Sequence, residues 1–84
     1  MVADKSNFLL PKIGGIYQHY KRGSTYEVIG IARHSETDQE LVIYKSLYED
    51  ANFPIGTLWA RPAEMFLEVI ESNGEVIRRF REVK

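Results

Sequence analysis

The alternation of apolar and polar positions along this chain describes short strands, not helices. Ile16 to Tyr20, Thr25 to His34, Leu41 to Tyr48, Leu58 to Ala60, Leu67 to Glu71 and Val76 to Phe80 concentrate Val, Ile, Tyr and Thr. Branched and flat side chains of this kind fit the pleated surface of a sheet. Turn-forming residues separate the runs: Lys21-Arg22-Gly23-Ser24, Glu36-Thr37-Asp38-Gln39, Glu49 to Thr57 with Pro54 and Gly56, and Ser72-Asn73-Gly74. The pattern predicts a meander of antiparallel strands, and a four-residue first turn would set His19 across from Tyr26. One short helical turn is expected at Pro62 to Phe66, because Pro suits the first helical position and Glu64 favours a helix N-terminus.

In the run Tyr26 to His34, one face carries Tyr26, Val28, Gly30, Ala32 and His34, and the other Glu27, Ile29, Ile31 and Arg33. Both faces are partly apolar. That is the pattern of a sharply bent strand covered first on one side and then on the other, with Gly30 where the bend or bulge falls. Valine at that glycine is accordingly expected to destabilise through crowding or strain. A small antiparallel barrel would also remove the exposed edges that a flat six-stranded sheet presents. The fold class expected is therefore mainly β. Residues 1–11 form a leader ending at Pro11, whose Phe8, Leu9 and Leu10 can tuck against the body, and residues 12–84 form a single small domain.

Composition narrows this further. With 84 residues there is no room for a second domain, and folding buries only about 60 to 65% of the surface of the extended chain. The absence of cysteine excludes disulfides, thiolate zinc sites and cysteine nucleophiles. No apolar run approaches the roughly 20 residues of a spanning helix or the core of a signal peptide, so no membrane association and a cytoplasmic location are the defaults. A formal charge of -1 speaks against a domain that coats nucleic acid by electrostatics alone. The charge is nonetheless blocked: net +3 over residues 1–34, -6 over 35–71 and +2 over 72–84, which would give basic and acidic poles if the blocks stay apart in space.

Enzyme templates are missing. There is no glycine-rich phosphate loop and no Gly-x-Ser-x-Gly elbow, and a set of Ser24 or Ser35 with His34 and Glu36 relies on sequence neighbours that seldom face one another as nucleophile, base and orienter. His19, His34 and Glu36 are the only residues that could assemble a nitrogen and oxygen metal site, and they supply too few ligands in too scattered a spacing. Catalytic residues, metal and cofactor are all expected to be none. The stronger signal is aromatic and basic. Tyr17, Tyr20, Tyr26, Tyr44, Tyr48 and Trp59 are too many large rings for so small a core, and Arg33, Arg61 and Arg79 offer planar forks suited to carboxylate or phosphate. Their bland role is packing: Tyr26 and Tyr44 lining a barrel, Trp59 anchoring it, and Arg61 paired with Glu36 or Glu64.

The stretches Gly15-x-Tyr17-x-His19-Tyr20-Lys21, Ala32-Arg33-His34-Ser35-Glu36-Thr37, Trp59-x-Arg61-Pro62-x-Glu64-Met65-Phe66 and Arg79-Phe80 resemble the bacterial domain-of-unknown-function family 1653 over about Lys12 to Phe80. The resemblance implies a small barrel of the SH3 type. It implies no activity.

The leading functional expectation is a non-catalytic binding module whose shallow site draws on His34, Glu36, Tyr44, Trp59, Arg61, His19, Tyr26 and Arg79. Its partner would be a peptide, a protein or a small anionic ligand, with nucleic acid less favoured, and the chain a monomer or homodimer. The alternatives are a small enzyme or nucleotide-handling domain built on His34, Glu36 and Arg61, and a structural assembly module.

Overall fold

The computed structural model describes residues 10–83. Strands β1 (Ile16–His19), β2 (Thr25–Arg33), β3 (Glu40–Ser46) and β4 (Leu58–Pro62) lead into the helical turn α1 (Ala63–Phe66). Strands β5 (Val69–Ser72), β6 (Glu75–Arg78) and β7 (Phe80–Glu82) follow. All pairings are antiparallel: a five-stranded sheet in the order β4-β3-β2-β1-β7, and a separate two-stranded ribbon of β5 and β6. The fold is mainly β with a single short helical turn, as the alternation predicted. No helix among the described residues is long and apolar enough to cross a membrane.

Three details depart from the sequence reading. The last run, Val76 to Phe80, is not one strand: β6 pairs with β5, and after Arg79 the chain switches to pair β7 with β1. The switch is held by backbone bonds on both sides of Arg79, whose N–H donates to Glu68 O at 2.9 Å while its carbonyl accepts from Tyr20 N at 2.9 Å. The first hairpin is also shifted by two residues, so that Tyr17, not His19, lies opposite Tyr26. Its loop opens earlier because Gly23, at φ 73°, closes it with an N–H bond to His19 O of 3.0 Å. Finally, Pro62 sits one position before the first helical residue, at φ -53° and ψ 137°, still paired with Leu41 at the end of β4.

The expected irregularity in β2 is present. Opposite β3 the register slips between Val28 and Gly30, leaving Ile29 as the extra residue of a bulge. The bulge advances the side-chain alternation by one, so Tyr26 and Val28 point into the core before it and Ile31 packs against the core after it. A Cβ on Gly30 would meet nothing within 4 Å, so the first side-chain carbon of a larger residue is not crowded there.

The sheet curls tightly. Two strands separate β7 from β3, which in a flat sheet would hold them about 14 Å apart at ~4.8 Å per strand. Yet the ring of Phe80 on β7 lies 5.6 Å from that of Tyr44 on β3. Phe80 also stacks parallel on Phe66 of α1 at 4.3 Å, and both are almost fully buried together with Val28, Val42 and Tyr44. No ladder joins the edge strands β4 and β7 among the described residues, so the sheet is curled but open. Leu10 packs against this core; Phe8 and Leu9 lie outside the described residues.

Candidate functional site

Cross-strand register assembles a cleft at one end of the curled sheet. Tyr44 lies opposite Trp59, Val42 opposite Arg61, and Tyr26 opposite Ser46, so these side chains share the concave face. Tyr48 and Phe53 from the β3–β4 loop and Arg22 from the β1–β2 turn complete a cleft of about 290 Å³. Hydrogen bonds fix its walls. Trp59 Nε1–H donates to the buried Ser46 Oγ at 2.7 Å, Arg61 Nε–H donates to the Tyr44 hydroxyl at 3.0 Å, and the Tyr26 and Tyr48 hydroxyls meet at 2.9 Å. Edge-to-face packing of Tyr26 against Tyr44 and Tyr48, with ring centres at 5.1 and 5.5 Å, and of Phe53 against Trp59 at 4.9 Å, locks the rings. Burial, with smaller contributions from Tyr48 and Tyr44, holds the Tyr26 phenol above its ordinary pKa and outweighs the opposing Ser24 hydrogen bond; the ring is therefore a neutral hydrogen-bonding group.

The cation of the cleft is Arg61. It is partly buried, its guanidinium carbon stands 5.3 Å from the centre of the Phe80 ring, and its Nε is committed to Tyr44. Among the described residues no carboxylate lies within ion-pair distance of it, and no acidic residue lines the cleft. The expected pairing of Arg61 with Glu36 or Glu64 is thus not formed. The partner is instead set by register, which delivers the Tyr44 hydroxyl to the guanidinium. The two terminal nitrogens of a fork held in this way can bind an oxyanion bidentately with little further loss of freedom.

Of the residues singled out from sequence, Tyr26, Tyr44, Trp59 and Arg61 come together here. His34 and Glu36 do not: they sit in the β2–β3 turn, where the His34 Nδ1 accepts the backbone N–H groups of Glu36 at 3.0 Å and Thr37 at 3.3 Å. Glu36 is exposed, its side chain held only by the Ser35 hydroxyl at 3.4 Å. Arg79 gives both Nε and Nη2 to Glu68 Oε1, at 3.2 and 2.8 Å, which makes it the brace of the strand switch. His19 lies in a neighbouring depression of about 370 Å³ with Tyr20, Lys21, Arg22, Arg78 and Arg81. Its pKa is lowered first by burial and then by the charges of Arg22, Arg79, Arg61 and Lys21. Arg22 and Phe53 escaped the sequence reading. The one aromatic ring in the loop Glu49 to Thr57 was the available signal for Phe53.

The profile of the protein family of unknown function DUF1653 matches residues 15–82, and the chain belongs to that family. A crystal structure of a DUF1653 protein from Bordetella bronchiseptica is 34% identical in sequence. It superposes with a TM-score of 0.71 over 83% of this chain and 85% of that one. No curated protein is similar enough in sequence to match.

Proposed function

We propose that the domain is a non-catalytic binding module on a small SH3-like barrel, and that its aromatic and arginine-lined cleft receives an anionic group carried by a peptide, a protein or a small molecule. The barrel reading draws on the strand order β4-β3-β2-β1-β7, the helical turn before the last strands, and the curl that brings Phe80 against Tyr44. The single observation that carries the ligand reading is Arg61: a partly buried guanidinium, oriented by Tyr44 and Phe80, without a carboxylate partner among the described residues. Burying a cation without a counter-charge is unfavourable, and an incoming oxyanion would relieve that cost. A small enzyme built on His34, Glu36 and Arg61 would need a convergence that the β2–β3 turn does not supply, since His34 spends Nδ1 on its own turn.

Trp59 is the sole tryptophan and lines the cleft, so its emission reports occupancy directly. Titration with inorganic phosphate, and with a short peptide bearing a free terminal carboxylate beside its amidated counterpart, is expected to give a saturable change for the anions and none for the amide. Arg61→Lys, which keeps the charge and loses the fork, should weaken the response about tenfold. Identical responses to carboxylate and amide, or a flat emission with every anion, would overturn the reading.

A further inference from the structure

The cations of this domain are not distributed at random with respect to acids. Arg33, Lys45 and Arg79 each lie within 4 Å of a carboxylate oxygen, at 3.5, 3.5 and 2.8 Å. Among the described residues the cations without such a partner are Lys12, Lys21, Arg22, Arg61, Arg78 and Arg81. All of these except Lys12 line either the aromatic cleft or the depression beside it, and neither surface contains an acidic residue. Arg22 belongs to both, so the two depressions adjoin and form two halves of one basic track. The basic blocks at the two ends of the sequence converge here, through the β1–β2 turn on one side and β6 with β7 on the other. A net charge near zero therefore conceals a local basic surface.

Each half of the track also carries an exposed ring: Phe53, 46% exposed, in the cleft, and Tyr20, 37% exposed, in the second depression. Tyr20 is stacked on His19 at 5.1 Å and Phe53 packs edge-to-face with Trp59 at 4.9 Å, so each ring is held in place and only partly exposed. Arginines without acidic partners beside such fixed, partly exposed rings match a chain that alternates phosphates with flat bases; an acidic peptide would use the charges and leave the rings idle. We infer that the track from Trp59 and Arg61 across Arg22 to Arg78 and Arg81 binds single-stranded nucleic acid, with bases on Phe53 and Tyr20 and phosphates on the unpaired cations. This extends the proposed anion cleft by a second, separately testable half. Both hydrogen bonds made by the second-half arginines are exposed, Arg78 Nη1 to Leu67 O at 3.2 Å and Arg81 Nη2 to Gln18 Oε1 at 2.8 Å, so ligand phosphates can compete for these groups.

The test is Trp59 emission and fluorescence anisotropy with a labelled oligothymidylate of about ten nucleotides, within the ~4 to 16 that one single-strand-binding OB-fold domain occupies. Affinity should fall with salt, with a log-log slope of about -2 to -3.5 for three to five phosphates at roughly -0.7 each. Arg78→Gln with Arg81→Gln should weaken the oligonucleotide about tenfold and flatten the slope by about 1.4, while leaving the Trp59 response to inorganic phosphate unchanged. Lys21→Gln, on the opposite wall, should act in the same direction and guards against a folding defect in the double variant. The inference is overturned, with the cleft left standing, by phosphate binding without oligonucleotide binding, by indifference of the oligonucleotide to these substitutions, or by equal competition from a polyglutamate peptide. Silence of Trp59 toward both phosphate and oligonucleotide would overturn the inference and the cleft together.

Discussion

His19 and His34 perform the same local task at two successive hairpins. Each imidazole Nδ1 accepts the N–H groups of the residues two and three further on: Lys21 and Arg22 for His19, at 3.2 and 3.4 Å, Glu36 and Thr37 for His34, at 3.0 and 3.3 Å. Each histidine closes its loop with the same pair of backbone bonds, N–H to the carbonyl five residues on (Ser24, Gln39) and C=O from the N–H four residues on (Gly23, Asp38). The residue four positions on is left-handed in both, Gly23 at φ 73° and Asp38 at φ 66°. A side-chain acceptor that gathers orphan N–H groups is the usual role of Asn or Asp, filled here by imidazole.

Because Nδ1 must stay unprotonated to accept, acid should loosen the first turn. The pKa of His19 in the folded protein lies below its ordinary 6.5, through burial first and the surrounding Arg and Lys charges second. Between the two values the unfolded chain binds more protons, so this contribution to stability is complete above pH 6.5 and is lost as the pH falls toward the folded pKa. Thermal midpoints measured from pH 8 to pH 5 should decline through that window. His19→Asn, whose side-chain oxygen keeps the turn but does not titrate, should flatten the decline; an equally steep one would refute the assignment.

The left-handed positions differ in the residue that fills them. Asp38→Gly relieves the backbone at φ 66° and forfeits only an exposed 3.5 Å ion pair with Arg33, so it should be neutral or stabilise by up to about 0.5 to 1 kcal/mol. Gly23→Ala introduces a Cβ at φ 73° and should cost about 1 kcal/mol. Urea unfolding of the two variants beside the parent gives both signs in one experiment.

Ser46 is buried and is the acceptor for the Trp59 indole at 2.7 Å. Ser46→Ala strands that N–H and should destabilise by about 1 to 2 kcal/mol in urea titrations. Its signature would be a change in folded-state Trp59 emission before any unfolding. A stability loss with an unaltered emission maximum would show that the indole does not depend on Ser46.

The bulge in β2 makes a prediction contrary to glycine's reputation in strands. A Cβ at Gly30 meets open space and the residue does not occupy the left-handed region, so Gly30→Ala should leave the fold intact. It should raise stability by up to about 0.5 to 1 kcal/mol by restricting the unfolded chain. A loss exceeding 1 kcal/mol would show that the bulge needs glycine for a reason other than space.

Strand positions were legible because Val, Ile, Tyr and Thr mark them locally, and the bulge because apolar residues on both faces of Tyr26 to His34 leave a strand little alternative to changing sides. The Asn73-Gly74 turn was equally plain, its two central residues at φ 54° and 81°. What sequence did not disclose was decided by pairing across the molecule. Arg79 ends β6 because Glu68, eleven positions earlier, meets both its backbone and its side chain. Arg61 finds Tyr44 rather than Glu36 because the β3–β4 register puts a hydroxyl, not a carboxylate, beside it. The tyrosines and Trp59 of the cleft were found because large amphipathic rings exceeded what so small a core could hold, whereas Arg22 was indistinguishable from any turn cation until its neighbours were known.

The switch at Arg79 divides the domain into parts of unequal persistence. A ribbon of two four-residue strands has little cohesion of its own, and β5 and β6 pair only with each other, beside a sheet held by five strands. Amides of the ribbon should therefore exchange with solvent through small openings that leave the sheet closed, as a cooperative unit of lower free energy than the core. Ile77 and Arg78 of that ribbon form one wall of the basic depression, so the wall is an adjustable jaw set against a fixed one on β1. Occupancy of the depression would then be registered farthest from the core, as slowed exchange at β5 and β6.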